Sequence, residues 1–404
     1  MARTERAFPA PPRSHHRPCP ICGGDNPEHL FRNTMAPLDG RDLSYDVARC
    51  GQCGFHYASD LPAPATYAGY YRDLSKYDQP AGGTIAAPLR ERSQQALALC
   101  RAQLPGDARI VDIGCGAGAL LHAFREAGYT QLHGIDPAPD GARTLLGDGY
   151  AERILAGHLR DADRLPLAEA DLVCLTGIAE HLPELRADMA WLCDKLGRHS
   201  RILIEVPSAE HFPTGEGPFE PFGEFSLEHL QYFDRNALTQ LMADNGFRPQ
   251  VLTVPELPGG GFGSLFGLFT RDERPLASLA TDASTRRRID SYLAASARDM
   301  QRAIDGIAAH GGPFVIHGAG SHTARLLPRL ADAGLAGRIV GLVDNNRNLH
   351  GKTLGKHLIE PASALAEHPE YAGTTVLVSS FAAQEAIAAS LPPESPVLLL
   401  YAKR

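Results

Sequence analysis

ARIVDIGCGAGALLHAFREAGY, residues 108–129, decides how this 404-residue chain is read. Ile110, Val111 and Ile113 form a short apolar run of strand length. Gly114, Gly116 and Gly118 then make a turn in which the backbone can come close to a ligand. Leu120, Leu121 and Phe124 follow at helical spacing and form one buried face. About twenty residues on, LHGIDPAP predicts a second strand ending in Asp136, where a carboxylate can hold two ribose hydroxyls. ADLVCLTGIAEHLPE and RILIEVPS supply further strands at regular intervals, and LPGGGFGSLFGLFTRDERP closes the series with a hairpin. A helical pattern from Pro88 to Leu104 precedes it, stopped by Pro105-Gly106. The core therefore reads as α/β with a parallel sheet.

Bulk composition bounds the rest. The length calls for two or three domains. Hydrophobic residues make up 44% and the formal charge is −8. No apolar run reaches a membrane span, and the acidic balance argues against nucleic acid as a partner. MARTERAFPAPPRSHHRP has no apolar stretch behind it and reads as a floppy leader, residues 1–17, rather than an export signal. A reducing, cytoplasmic setting is expected.

The eight cysteines are unevenly placed. Cys19 and Cys22 form one CxxC pair, and Cys50 and Cys53 another, while Cys100, Cys115, Cys174 and Cys193 sit alone in apolar or helical stretches. Two spaced pairs in a reducing setting are metal ligands, and four thiolates suit one structural zinc ion. The intervening RDLSYDVARC alternates like a strand, so residues 18–86 read as a zinc ribbon, with His56 a bystander to a filled site. Tyr67, Tyr70, Tyr71 and Tyr77 crowd its end, either packing it on its neighbour or facing a substrate.

The chain then presents a second glycine turn. FVIHGAGSHTARLL, residues 314–327, again runs from strand to helix, with Gly318 and Gly320 in the turn, and GLVDNN ends the next strand in Asp344. Strands TTVLVSS and VLLLYAKR complete a small parallel sheet, introduced by a long helical stretch around Ile289, Leu293, Met300, Ile304 and Ile307. His322-Thr323 stand where a dinucleotide turn carries its third glycine, which argues against a full nicotinamide site. A phosphate or nucleotide dock and a bare scaffold turn both fit.

Candidates for chemistry lie on loops beyond the strand ends. One is the pair Glu180-His181. The other is EHLQYF, residues 228–233. There His229 can take a proton near neutral pH, Glu228 can fix its tautomer, and Tyr232 stands close by. Asp234 is placed to cap the helix that follows. The upstream loop 207–226, rich in Gly, Pro and Phe, can close over a substrate.

VDIGCGAG, GIDPA, AEHLPE and RILIEVPS in this order resemble the class I S-adenosylmethionine-dependent methyltransferases, over residues 87–273. The resemblance implies that Asp112, Gly114 and Gly116 hold the methionine part of the donor and Asp136 the ribose. Asp161, Asp163 and Leu165, in HLRDADRLP, would lie near the adenine, with Asp163 the chosen candidate. Zinc ribbon, methyltransferase and Rossmann-like tail (residues 274–404), taken with EHLQYF, resemble the nucleotide-sugar C-methyltransferases over nearly the whole chain. That family methylates a carbon next to a keto group. By the resemblance His229 is the base and Glu228 its neighbour, Tyr77 or Tyr71 lines the substrate, and the tail helps hold the nucleotide diphosphate. The tail turn departs from the family, whose turn carries a Lys-Gly-Asn type string. The implied partner is a small-molecule acceptor, nucleotide-linked in that family. An O- or N-methyltransferase of a natural product, and a non-catalytic zinc-ribbon scaffold, remain as alternatives.

Overall fold

The computed structural model describes residues 15–63, 66, 85–214, 219–226, 228–255, 263–392 and 394–401. Tyr67, Tyr70, Tyr71 and Tyr77 lie outside them. The described chain builds three sheets.

The N-terminal sheet contains β1 (His15–His16), β2 (Pro27–Asn33), β3 (Tyr45–Cys50) and β4 (His56–Leu61). β2 and β3 form the antiparallel hairpin expected between the cysteine pairs. The last residues of the expected leader belong to this fold. His15 and His16 pair with β4, and the Arg17 guanidinium donates to Ala58 O at 2.7 Å and to Gln231 Oε1 at 2.7 Å. An arginine with several carbonyl and amide acceptors in reach orders a segment that composition alone marks as loose.

The central sheet runs β11-β12-β9-β8-β5-β6-β7. Its strands are β5 (Arg109–Ile113), β6 (Gln131–Asp136), β7 (Ile154–Ala156), β8 (Leu172–Thr176), β9 (Arg201–Pro207), β11 (Phe247–Thr253) and β12 (Ser264–Arg271). β5 through β9 pair in parallel, and β11–β12 is an antiparallel hairpin docked on β9. Strand order reverses at β5, between β6 and β8, so the crevice for a ligand opens at the carboxyl end of β5. That is where the glycine turn sits.

β10 (Gln231–Tyr232) follows the EHLQYF pattern but joins neither neighbour of the central sheet. It pairs antiparallel with β4, Gln231 opposite Tyr57 and Tyr232 opposite His56. The segment carrying His229 is thus sewn to the cysteine-bearing sheet.

The C-terminal sheet runs β15-β16-β14-β13-β17-β18. Its strands are β13 (Phe314–His317), β14 (Ile339–Asp344), β15 (Thr353–Leu354), β16 (His357–Pro361), β17 (Thr375–Val378) and β18 (Val397–Leu399). A single 28-residue helix, Ala283–His310, leads into it, with Ile289, Met300, Ile304 and Ile307 on its buried face. Leu293, expected on that face, is only partly buried.

One carbonyl ties the parts together. Phe225 O accepts from Asn33 Nδ2 at 2.8 Å and from the Arg325 guanidinium at 2.9 Å. Arg325 has 0% side-chain exposure and also pairs with Glu220 at 3.3 Å. A buried guanidinium is costly unless paired, so this contact fixes loop 219–226 against the C-terminal helix Ser321–Asp332.

Candidate active site

The first glycine turn is held open by geometry that side chains resist. Gly114 has φ 74° and Gly116 φ 49°. A Cβ on Gly114 would fall 2.0 Å from Ile178 Cδ1, whereas a Cβ on Gly116 would meet nothing within 4 Å. Gly116 therefore borders an open cradle. Asp136 supports it: Oδ2 accepts from Gly116 N at 2.8 Å and Oδ1 from Ala138 N at 2.8 Å. Each carboxylate oxygen keeps a further lone pair for a hydroxyl.

Asp112, at the end of β5, is 1% exposed, and its Oδ1 has no partner among the described residues. Burial, with the Asp136 charge adding, pushes its carboxyl up to about 8. A buried carboxyl with an unused oxygen beside an open glycine cradle suits a ligand bearing an ammonium group. The donor's methionine end carries one, so these residues fit S-adenosylmethionine. Asp161 is spent locally, its Oδ2 accepting from His158 N at 2.8 Å. Asp163 stays exposed on the same turn, Leu159–Arg164.

Beyond Ile178 the loop after β8 brings Glu180 and His181 to the EHLQYF segment. His181 Nδ1 lies 2.9 Å from Glu228 O, and Leu230 N donates to Glu180 O at 2.8 Å. A carbonyl only accepts, so Nδ1 carries a proton, and Nε2 faces Glu180 Oε1 at 3.6 Å. The His181 and His229 rings meet edge to face, centroids 5.0 Å apart. Glu228 is buried and His229 half-buried. Tyr232 is buried among Phe212, Phe225 and Tyr45, and its hydroxyl donates to His229 O at 3.0 Å. That places it as a support for the His229 backbone.

Two further members of this cluster, Arg92 and Glu205, are marked by no site motif of the sequence. Glu205 sits in β9 at 1% exposure, ion-paired with Arg92 from the helix Ala87–Arg101. A carboxylate inside the apolar run ILIEVP was the available signal. Glu180 is 2% exposed and its Oε2 has no partner among the described residues. Burial first, then the Glu205 charge, pushes Glu180 up to about 8. At neutral pH the site therefore holds a neutral carboxylic acid beside two imidazoles, a division of roles typical of acid–base sites. A carboxyl raised from 4.5 stabilises the fold fully below pH 4.5, and this contribution is lost as pH rises through about 8. The ceiling is roughly 5 kcal/mol at 1.36 kcal/mol per unit. We expect ligand-free protein to lose stability from pH 5 to 9 in thermal melts, and Glu180→Gln to reduce that slope, leaving the part that Asp112 contributes. An unchanged slope would place the titration elsewhere.

The four paired cysteines converge. Cys19 and Cys53 sulfurs lie 3.6 Å apart and those of Cys22 and Cys50 3.5 Å. A tetrahedron of thiolates about 2.3 Å from zinc has edges of about 3.8 Å. Gly24 N and Gln52 N point at the Cys22 and Cys50 sulfurs, each at 3.4 Å. The donor set and spacing fit zinc. His56 is buried in β4, outside this cluster.

The C-terminal turn repeats the first in small. Asp344 Oδ2 accepts from Ala319 N and Oδ1 from Asn346 N, both at 2.6 Å. Gly318 has φ 112°, and a Cβ there would strike Ser379 O at 2.9 Å. Gly320 borders open space. His322 and Thr323 are buried and consumed. His322 bonds Ser379 Oγ at 2.8 Å and Tyr401 OH at 2.6 Å, and Thr323 donates to Gly318 O at 2.5 Å. They lock the turn where a third glycine would admit a ligand.

Residues 86–251 match the family model of a methyltransferase domain. Comparison with curated proteins finds no match. Among solved structures, the chain is similar to 1,6-didemethyltoxoflavin-N1-methyltransferase of Burkholderia thailandensis (20% identity, 61% of this chain and 100% of that one, TM-score 0.41). It is also similar to magnesium protoporphyrin IX methyltransferase of Synechocystis PCC 6803 (16% identity, 51% and 96%, TM-score 0.37). A third is a putative S-adenosylmethionine-dependent methyltransferase from Listeria monocytogenes (13% identity, 45% and 100%, TM-score 0.36). Likenesses this weak carry nothing about the acceptor. The matched domain, the strand order and the open glycine cradle together make residues 86–251 a methyltransferase domain whose turn fits S-adenosylmethionine.

Proposed function

We propose that the enzyme methylates a carbon next to a keto group of an activated, nucleotide-linked small molecule. The observation that carries this is the acid–base set: Glu180, whose carboxyl burial pushes up to about 8, and two imidazoles lie together just past Ile178, which covers the glycine turn. The bound donor supplies an electrophilic methyl group. O- or N-methylation of an acidic hydroxyl or an amine needs at most one base, whereas a carbon must first become nucleophilic.

In this reading His229 removes the proton α to the ketone, with Glu228 behind it. Glu180, neutral, donates a hydrogen bond to the oxygen as enolate charge develops. Positioning such a donor where charge forms is worth several kcal/mol in known sites, on the order of 10²–10³ in rate. Ionisation of Glu180 removes the donor, so the rate falls as pH passes about 8. Asp112, Gly114 and Gly116 take the methionine end, Asp136 the ribose, and Asp163 the region of the adenine. Tyr71 and Tyr77 remain substrate-lining candidates from the sequence. Gly318, Gly320 and Asp344 are a second candidate dock for the nucleotide.

Zinc in the four-cysteine site is structural in this account. β4, which follows the ligand Cys53 by three residues, is the strand that holds β10 and hence His229. Purified protein is expected to carry about one zinc per chain, read by elemental analysis. Chelation should lower methyl transfer by loosening β10, and metal-free protein that is folded and active would contradict it.

The test of the chemistry is product analysis. With S-[methyl-13C]adenosylmethionine and a panel of keto nucleotide sugars, the new methyl signal should appear at a carbon-bonded shift. A methyl on oxygen or nitrogen would replace this reading with its alternative.

A further inference from the structure

A cavity of about 620 Å³ opens between the turn Ala209–His211 after β9 and the first turns of helix Ala283–His310. This volume is within the range of small-molecule sites. Ser284, Arg287, Arg288 and Ser291 all line it. Their spacing of 0, 3, 4 and 7 puts two guanidiniums and two hydroxyls on one helix face. The cavity's carboxylates are already engaged. Glu210 is clamped by the Arg235 fork, with contacts of 2.8, 3.0 and 3.1 Å, and Asp282 caps the helix by accepting from Ser284 N at 2.7 Å and from the Ser284 hydroxyl, which leaves Ser291 as the hydroxyl turned to a ligand. Arg288 spends one nitrogen on Phe212 O at 3.0 Å. Arg287 is exposed and makes no hydrogen bond or ion pair among the described residues.

A second, independent sign lies in the cavity lining. Thr285 also lines it, is 2% exposed, and its Oγ1 has no partner among the described residues. A buried hydroxyl without a partner costs free energy until something bonds it. Guanidiniums beside hydroxyls recognise phosphate oxygens.

We propose that this cavity binds a phosphate or diphosphate group, the anionic handle of the acceptor. Its assignment to the acceptor rests on the nucleotide-linked reading above. Reach is compatible: Arg235, in the cavity wall, lies six residues after His229, at most about 20 Å of extended chain. The handle then sits against the linker helix and leaves the C-terminal glycine turn as scaffold.

The experiment is calorimetry on the full-length protein loaded with S-adenosylhomocysteine, titrated with inorganic pyrophosphate, UDP, dTDP and GDP. Pyrophosphate and at least one nucleoside diphosphate should bind. Arg287→Ala, and separately Ser291→Glu, both at exposed positions, should weaken them tenfold or more. Gly320→Trp should not, and S-adenosylhomocysteine affinity should hold throughout. No binding of any probe to the wild type overturns the proposal. So does equal affinity in both cavity variants, and loss confined to Gly320→Trp would move the handle to the C-terminal turn. Product analysis reports separately. A methyl on oxygen with pyrophosphate binding still dependent on Arg287 would retain the anion site and discard the carbon chemistry.

Discussion

His229→Gln is expected to lower methyl transfer by roughly 10²- to 10⁴-fold, the usual worth of a positioned general base. Binding of S-adenosylhomocysteine should be unchanged, because His229 lies beyond Ile178 and not in the glycine turn. The fold should also hold. The segment is kept by main-chain pairing of Gln231 and Tyr232 with β4 and by the Tyr232 hydroxyl on His229 O, none of which uses the imidazole. His181→Gln should cost less. Its Nδ1 is spent on the Glu228 carbonyl, so it orients the segment more than it reacts. Equal losses in both variants would make the pair a single unit, and no loss in His229→Gln would remove the base from the mechanism. Initial rates with saturating donor, against calorimetry for the product, separate these cases.

Gly116→Val is expected to abolish donor binding, with affinity for S-adenosylhomocysteine down at least about 100-fold. Two effects add. A β-branched residue at φ 49° is strained by about 1–3 kcal/mol, and its side chain fills the open cradle. The fold has room for it, since a Cβ there meets nothing within 4 Å. Thermal melts should therefore shift only modestly while binding disappears. Gly114→Ala makes the contrast: its Cβ would fall 2.0 Å from Ile178 Cδ1, so it must disturb the loop that carries Glu180. Full donor affinity in Gly116→Val would move the donor site away from this turn.

The parts legible in the sequence are those set by local chemistry. The glycine turn, the strand ending in Asp136 and the two CxxC pairs each announce themselves within a few residues, and each is found assembled in the fold. Asp234 likewise caps its helix, accepting from Ala237 N at 2.8 Å. The parts that were not legible depend on distant partners. β10 is two residues long and has no periodicity to read, and it is a strand only because β4 offers an edge. Arg325 falls in an amphipathic helix where an arginine normally marks the solvent face, yet it is fully buried because Phe225 O and Glu220 meet it there. Arg92 and Glu205 are 113 positions apart, and no spacing rule joins them. Glu205 alone was readable, as a charge within an apolar strand. The second glycine turn repeats the first in its local sequence and in the Asp344 carboxylate that supports it. What distinguishes it is the burial of His322 and Thr323, a tertiary outcome.

The measurement that bears most directly on base-assisted carbon methylation is proton exchange without transfer. Enzyme saturated with S-adenosylhomocysteine, which has no methyl to give, is incubated in D2O with a keto nucleotide sugar. The account predicts washout of the α proton by the wild type, followed by NMR, slowed roughly 10²-fold or more in His229→Gln and slowing above about pH 8 as Glu180 ionises. Methyl transfer to that same compound with no α-proton washout, or washout that persists in His229→Gln, would contradict it.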